Sequence, residues 1–237
     1  HEDLGDIYYN IGRACSLQKE LDLAHHNLEQ AYEYQKLRKS NVYPYLIRTL
    51  NSQGWVYQNG GEHQPAMEKY LQAKKLCEEN LSSDHRCMAK TLRSMGNSYL
   101  DRCKYSDALE HYTQALLIEK KNLPLIHPDI GLLKMDIGDV YRKSDVFDEA
   151  LNYYEIAYKM FQTTLPEDHP TSAYCLSCIG LVQLKKGNVE YAQECHKTAL
   201  KSYERCLPSD HINVVISRFN SACGEHTRAL DGYIRDI

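Results

Sequence analysis

The chain has 237 residues, 43% hydrophobic and 25% charged, a composition that is ordinary for a globular or repeat protein. Its formal net charge of −4 argues against a nucleic-acid partner, which favours an excess of basic residues. No apolar run approaches the roughly 18 residues of a membrane span, so we expect no membrane partner. The nine cysteines form no dense framework, and we interpret them as reduced thiols of a cytoplasmic protein.

The chain opens with His1-Glu2-Asp3 and shows neither an initiator methionine nor the pattern of a signal peptide. We therefore expect it to be a piece of a longer chain.

A period of 42 residues organises the whole sequence. A column of glycines and two columns of alanines recur at this step, which is the signature of a repeat array. The period divides the chain into units 1–42, 43–84, 85–126, 127–168 and 169–210, followed by a partial unit 211–237. The glycine column consists of Gly12, Gly54, Gly96, Gly138 and Gly180; the first alanine column consists of Ala24, Ala66, Ala108, Ala150 and Ala192, and the second of Ala31, Ala73, Ala115, Ala157 and Ala199.

Each unit is predicted to form two helices, as the fourth unit illustrates. Its apolar residues follow helical spacing from Pro128 to about Lys143, and again from about Phe147 to Thr164. Proline suits the first turn of a helix, where its missing N–H has no intrahelical partner. Ser144-Asp145 is predicted to make the turn between the two helices.

A histidine column precedes the first helix of most units, at His85, His127, His169 and His211, while Tyr43 takes the slot in the second unit. Consecutive members lie a whole repeat apart. We therefore predict a turn or capping role for them and not a metal site.

The partial unit 211–237 keeps a glycine and an alanine at Gly224 and Ala229 but lacks about five residues before them, compared with the fifth unit. The first helix of this unit is predicted to be short or broken.

The glycine column predicts close packing within each helix pair. Glycine inside a helix costs roughly 0.5–1 kcal/mol relative to alanine, so five such positions at one phase need a compensating gain. We expect the second helix to approach closely here, with the alanine columns opposite the glycines and tyrosines filling the space beside them.

These columns resemble the tetratricopeptide repeat, whose marks are a glycine, a tyrosine three residues later and two alanines, as in Gly96, Tyr99, Ala108 and Ala115. The resemblance covers 1–237 as a single array. It implies an all-α fold, a right-handed superhelical solenoid of stacked antiparallel helix pairs. The ordinary repeat has about 34 residues. The longer repeat seen here is similar to those of kinesin light chains and related scaffolds.

By this resemblance, the first helices of the units line a concave face. In units one to three the inward positions carry basic and amide side chains together with the only tryptophan of the chain. The predicted peptide-binding groove consists of Arg13, Arg48, Asn51, Ser52, Trp55, Lys90, Arg93, Ser94 and Asn97. Cations there would bind acidic side chains, amides the peptide backbone, and Trp55 an apolar side chain. An ordinary solvated helix face is the alternative.

A zinc site is considered at Cys175, Cys178, Cys195 and His196, since these ligand types suit zinc. The two cysteines of Cys175-x-x-Cys178 lie inside a predicted helix, however, and His196 occupies a tyrosine column. We therefore expect buried structural thiols, with no metal and no cofactor. No phosphate-binding loop or nucleophile elbow is present in the sequence, so we expect no catalysis.

The sequence thus predicts a non-catalytic scaffold or adaptor that binds a protein or peptide, and the predicted ligand is an acidic segment of that partner. Two alternatives stay open. The first alternative is an array that regulates an enzyme or motor elsewhere in the same chain. The second is a self-associating spacer.

Overall fold

The computed structural model describes residues 2–38 and 42–221, and its helices follow the 42-residue period. No strand occurs within these ranges. The helices are α1 (Glu2–Leu17), α2 (Leu21–Lys36), α3 (Val42–Asn59), α4 (His63–Asn80), α5 (Arg86–Asp101), α6 (Tyr105–Asn122), α7 (Pro128–Lys143), α8 (Phe147–Thr164), α9 (Pro170–Lys185), α10 (Val189–Cys206) and α11 (212–221). In the fourth repeat, both predicted helices are confirmed at the predicted residues. Over the described part of the chain, no helix is both long enough and apolar enough to span a bilayer.

The chain forms two compact units, His1–Asn122 and Leu123–Ile237. In the first unit, α1 packs on α2, α3 on α4 and α5 on α6, and each pair also packs on the next. In the second unit, α7 packs on α8 and α9 on α10, while α8 joins the two pairs by packing on α9. The predicted all-α fold of stacked helix pairs is confirmed. The assignment of 1–237 to a single array stays a prediction.

The histidine column caps helices, as predicted. In each case the ring Nδ1 accepts a hydrogen bond of 3.1–3.2 Å from the backbone N–H two residues later, for His85, His127, His169 and His211. A side-chain acceptor at this position satisfies one of the N–H groups that the first helical turn leaves unpaired. The last of these caps starts α11. Gly224 and Ala229, which belong to the rest of the partial unit, lie outside the described residues.

The turn inside each helix pair also follows the period. One residue per turn adopts a positive φ: Lys19, Gly61, Cys103, Asp145 and Gly187, with φ between 55° and 85°. The next residue then donates its N–H back to a carbonyl in the last helical turn, as Lys104 does to Tyr99 at 2.9 Å. This is the Schellman termination of a helix, in which glycine is favoured because it has no Cβ.

From the second repeat to the fifth, the glycine column faces aromatic rings, and Gly12 in the first repeat faces Leu28. This corrects the expectation that alanines lie opposite the glycines. A Cβ added to Gly96 would lie only 2.6 Å from Cε1 of Tyr112, and one on Gly54 only 2.4 Å from Cε1 of Tyr70. The alanines of the first column are buried, but the nearest atoms to these two glycines belong to the rings. The absence of a side chain therefore makes room for a ring from the second helix of the same pair.

The hydroxyl groups of these tyrosines anchor the rings. Tyr112 donates a hydrogen bond of 2.6 Å to Oδ1 of Asn97, and Tyr154 donates one of 2.7 Å to Oδ1 of Asp139. A fully buried ring that is fixed at its hydroxyl cannot move aside at low cost.

Replacing Gly96 by alanine is expected to destabilise the chain by roughly 1–3 kcal/mol, because the added methyl group overlaps the fixed ring of Tyr112. Gly60→Ala is the matched control, since a Cβ there meets nothing nearer than 3.4 Å. Urea denaturation of both variants measures the difference. Equal midpoints for Gly96→Ala and Gly60→Ala would contradict the packing argument.

Candidate functional site

The first compact unit, His1–Asn122, contains a groove of about 680 Å³. The groove runs along α1, α3 and α5, which are the first helices of the three pairs in this unit. Seven of the predicted binding residues line it: Arg13, Arg48, Asn51, Ser52, Trp55, Lys90 and Ser94. The other lining residues are Tyr9, Ser16, Leu17, Pro44, Tyr45, Ile47 and Cys87. Arg93 and Asn97 are predicted members that do not line the groove.

The repeat explains why these side chains converge. Arg48 and Lys90 occupy the same repeat position on α3 and α5, and so do Ser52 and Ser94. Along α3 the residues at 48, 52 and 55 are spaced by one and two helical turns and share one face of the helix. Stacking the helices therefore sets equivalent side chains side by side.

A carboxylate and two tyrosine rings fix Arg48 at one end of the groove. Its Nη2 donates a hydrogen bond of 2.9 Å to Oδ1 of Asp6. The guanidinium also lies 4.0 Å from the ring centre of Tyr9 and 5.2 Å from that of Tyr45. Such cation–π contacts hold the plane of an arginine as well as its charge. Arg48 is thus a preoriented cation.

Arg38 completes this cluster without lining the groove. Its Nη2 lies 2.5 Å from Oδ2 of Asp6, and its guanidinium lies 3.8 Å from the ring centre of Tyr45. The two oxygens of one carboxylate therefore each bind a different arginine. The repeat pattern of the sequence did not predict this role of Asp6.

Arg13 and Lys90, like Arg48, are exposed cations of the groove, but they differ from Arg48 in their contacts. Within residues 2–38 and 42–221, neither of them forms an ion pair. Their charges are therefore not neutralised by a contacting carboxylate from the described chain.

The middle of the groove combines an aromatic surface with polar atoms. Trp55 is 38% exposed and so offers part of its indole surface to the groove. Asn51 donates its amide N–H to Oγ1 of Thr91 at 2.9 Å, and Ser52 donates to the hydroxyl of Tyr9 at 3.2 Å. Asn51 thus joins α3 to α5, a role beyond the predicted contact with a peptide backbone.

Burial raises the pKa of the Cys87 thiol, although Lys90, Arg86 and Arg48 partly offset that rise. The thiol is therefore neutral at physiological pH, and the charge of the groove comes from its arginine and lysine side chains.

The two predicted positions outside the groove have other contacts. Asn97 accepts the hydrogen bond from Tyr112, so it anchors the core ring described above. Arg93 is half-buried on α5.

In the second compact unit, Leu123–Ile237, side chains of α7 and α8 form a hydrogen-bonded network. Oδ1 of Asp139 accepts hydrogen bonds from the Tyr154 hydroxyl at 2.7 Å and from Nη2 of Arg142 at 2.8 Å. Nε of Arg142 also donates to the Tyr154 hydroxyl at 3.0 Å. The positive charge of Arg142 and the negative charge of Asp139 therefore neutralise each other within this network. The sequence signal for it was Asp139 at the position of Asn97, one repeat later.

The candidate zinc residues are buried thiols in the second unit. Burial raises the pKa of Cys178 to about 12 and that of Cys195 to about 11, so both stay neutral. The described residues contain no group of three or more histidine, cysteine or acidic side chains that could hold a metal ion. The eight cysteines within the described ranges are free thiols.

Fold and site together define a class of protein, an array of stacked helix pairs whose first helices carry a groove. A sequence model of the tetratricopeptide repeat matches residues 45–118 and 129–205, which is more than half of the chain. The chain therefore belongs to the tetratricopeptide repeat family.

Several solved structures share this fold. BtubC (BKLC) from P. vanneervenii has a TM-score of 0.76 and 17% identity, over 88% of this chain and 84% of that one. A putative kinesin light chain from Podosopora anserina with nearly identical TPR-like repeats has a TM-score of 0.64 and 19% identity, over 86% of this chain and 97% of that one. A Rap protein complexed with competence and sporulation factor has a TM-score of 0.71 and 18% identity, over 83% of this chain and 53% of that one. At these identities the likeness is one of fold. Among curated protein sequences, none matches this chain.

His196 takes the place of the tyrosine that lies opposite Gly54, Gly96 and Gly138. It is fully buried against Gly180, whose added Cβ would lie 2.9 Å from Cε1 of the histidine. Neither ring nitrogen has a hydrogen-bond partner among the described residues. Burial lowers the pKa of His196 below its ordinary value of 6.5, so folding favours the neutral ring. The unfolded chain binds the proton more readily, and stability therefore falls as the pH drops below about 6.5.

His196→Phe is expected to reduce the loss of stability between pH 7.5 and pH 5.5, because phenylalanine fills the same space and cannot take up a proton. One such site accounts for at most about 1.4 kcal/mol per pH unit. Denaturant unfolding at the two pH values measures the effect. The control is His26→Gln on the exposed face of α2. If the parent and His196→Phe lose equal stability on acidification, the buried ring is not the cause.

Proposed function

We propose that the chain is a non-catalytic, cytoplasmic scaffold that holds an acidic segment of a partner protein in the groove of its first unit. One observation carries this proposal. The residues that line the groove include three cations, Arg13, Arg48 and Lys90, and no aspartate or glutamate, although the chain as a whole has a net charge of −4.

The charge distribution favours an acidic ligand over a basic one. A groove of one sign raises the encounter rate of a segment of the opposite sign, and salt screens this effect. Arg13 and Lys90 supply exposed charge, whereas the oriented guanidinium of Arg48 suits a carboxylate, which it can bind through two N–H groups.

Trp55 gives the groove an apolar anchor between these cations. Tryptophan and arginine are enriched among the residues that dominate binding energy, because they bury a large area while keeping polar atoms available. An acidic segment with an apolar side chain among its acidic residues therefore fits this surface better than a purely acidic one.

The comparisons support a role in binding at the level of the fold. Stacked helix pairs build extended surfaces from short repeats, and such surfaces are used to bind other chains. One protein of similar fold, the Rap protein, was solved in complex with competence and sporulation factor.

Arg13→Glu combined with Lys90→Glu is expected to abolish capture of the partner, since it reverses the two groove cations that form no ion pair within the described residues. The partner is first identified by a pull-down from a cell lysate with the parent protein and then titrated by calorimetry. The matched control is Lys75→Glu with Lys120→Glu, which makes the same change in net charge on the exposed second helices α4 and α6. Equal affinity of both double variants and the parent would exclude the groove as the binding site.

Trp55→Ala is expected to weaken binding of the same partner by roughly 2 kcal/mol or more, because it removes the apolar anchor. Its helical content and unfolding midpoint should stay close to those of the parent, since Trp55 is substantially exposed. Titration and far-UV circular dichroism of one preparation test both expectations. Parent-like affinity in a folded variant would mean that the tryptophan is not an anchor.

A further inference from the structure

We propose that Asp6 is an internal competitor for the acidic ligand, occupying the arginine pair at one end of the groove and thereby setting its affinity for carboxylates. This inference rests on the proposed function of the groove. The groove residues described above promote binding, whereas Asp6 weakens it.

The geometry of Asp6 is that of a bound carboxylate. Each of its oxygens contacts a different guanidinium, Oδ1 that of Arg48 at 2.9 Å and Oδ2 that of Arg38 at 2.5 Å. Carboxylates bound by arginine in recognition sites use the same charge-assisted contacts. Asp6 therefore satisfies the N–H groups that an acidic side chain of a partner would use.

Exposure separates the two arginines. The side chain of Arg48 is 44% exposed and that of Asp6 is 34% exposed, whereas that of Arg38 is 12% exposed. Arg48 lines the groove and Arg38 does not. A ligand entering the groove thus meets Arg48 first and shares it with Asp6 or displaces Asp6 from it.

Asp6 is only one of the groups that orient Arg48. The rings of Tyr9 and Tyr45 flank its guanidinium, and the Tyr9 hydroxyl is itself held by Ser52. Removing the charge of Asp6 therefore leaves an oriented arginine in place. The Asp6–Arg48 ion pair is partly exposed to solvent and contributes little to stability. Asp6 also pairs with Arg38, whose side chain is only 12% exposed, so the unfolding midpoint of each variant is measured beside its affinity.

The local charge explains the direction of the effect. With Asp6 ionised, one negative charge lies in contact with Arg48, and an incoming carboxylate is repelled by it. Asp6→Asn keeps the shape and an oxygen acceptor but removes this repulsion. Affinity for acidic ligands should rise, and the rise should shrink as salt is added.

The test uses a capped, fluorescein-labelled octapeptide of alternating glutamate and alanine, titrated with the 237-residue protein and followed by fluorescence anisotropy at low and physiological salt. The same peptide with glutamine in place of glutamate is the ligand control. The protein variants are Asp6→Asn, Asp6→Ser as a second neutral replacement, and Asp6→Asn combined with Arg48→Gln. The matched control is Glu33→Gln on α2, which makes the same change in net charge at a side chain that is 65% exposed and outside the groove.

Asp6→Asn and Asp6→Ser are expected to bind the glutamate peptide about fivefold more tightly than the parent at low salt. Glu33→Gln should bind as the parent does, and Arg48→Gln should remove the gain. Unfolding midpoints of all variants show that they are folded.

Each other outcome overturns a different claim. Unchanged or weaker binding by both Asp6 variants, with clear binding by the parent, overturns the role of Asp6 and leaves the acidic groove intact. If neither the parent nor either Asp6 variant binds the glutamate peptide, the claim that Asp6 competes with an acidic ligand is overturned, and the result argues against an acidic ligand. A gain in affinity for Asp6→Asn, together with parent-like capture of the partner by Arg13→Glu/Lys90→Glu, would support the role of Asp6. It would also show that the partner does not bind in the groove.

Discussion

The contact between a glycine of the first helix and an aromatic ring of the second sets the distance between the helices of a pair. Gly96 and Tyr112 form it in one repeat, and Gly138 and Tyr154 form it in the next. The ring hydroxyl then bonds to a polar side chain of the first helix, such as Asn97. One core interaction therefore fixes both the packing of the pair and the polar residues beside the inner face. Wherever an L side chain replaces the glycine, both are disturbed together.

Stacking pairs with this fixed geometry turns repeat positions into a surface. Residues 42 apart come to lie side by side, as Asp6 and Arg48 do through their ion pair. The side chains that line the groove thus come from the few repeat positions that vary, while the positions that do not vary determine how the helices pack. Arg48 and Lys90 share one such position with Asp6, and the sign of the charge changes along it.

Periodicity predicted most of the fold, because helix ends, caps and glycine columns are local features of each repeat. The pairing of α7 and α8 and the histidine caps followed from spacing and from the chemistry of helix termini. The partners of individual side chains did not follow. The exclusion of Arg93 from the groove and the capture of Arg48 by Asp6 depend on helix rotation and on rotamers, which the repeat pattern does not contain. The same holds for the rings opposite the glycines, since alanine and tyrosine columns both face the partner helix.

Some charges of the array are neutralised in pairs between neighbouring repeats. Between repeats, Asp84 binds Lys121 at 3.0 Å, and the equivalent residues two repeats later, Asp168 and Arg205, form the same pair at 3.1 Å. In the intervening repeat the two positions hold Ile126 and Thr163, so both charges are absent together. Acid and base thus come and go as a pair at this contact, as expected if an unpaired charge there carries a cost. Arg13 and Lys90 form no ion pair within the described residues, and both line the groove that exposes Trp55. Cations that form no ion pair with their own chain contribute little to its fold, whereas their field attracts an incoming acidic chain, and this is why we propose the groove as the binding site.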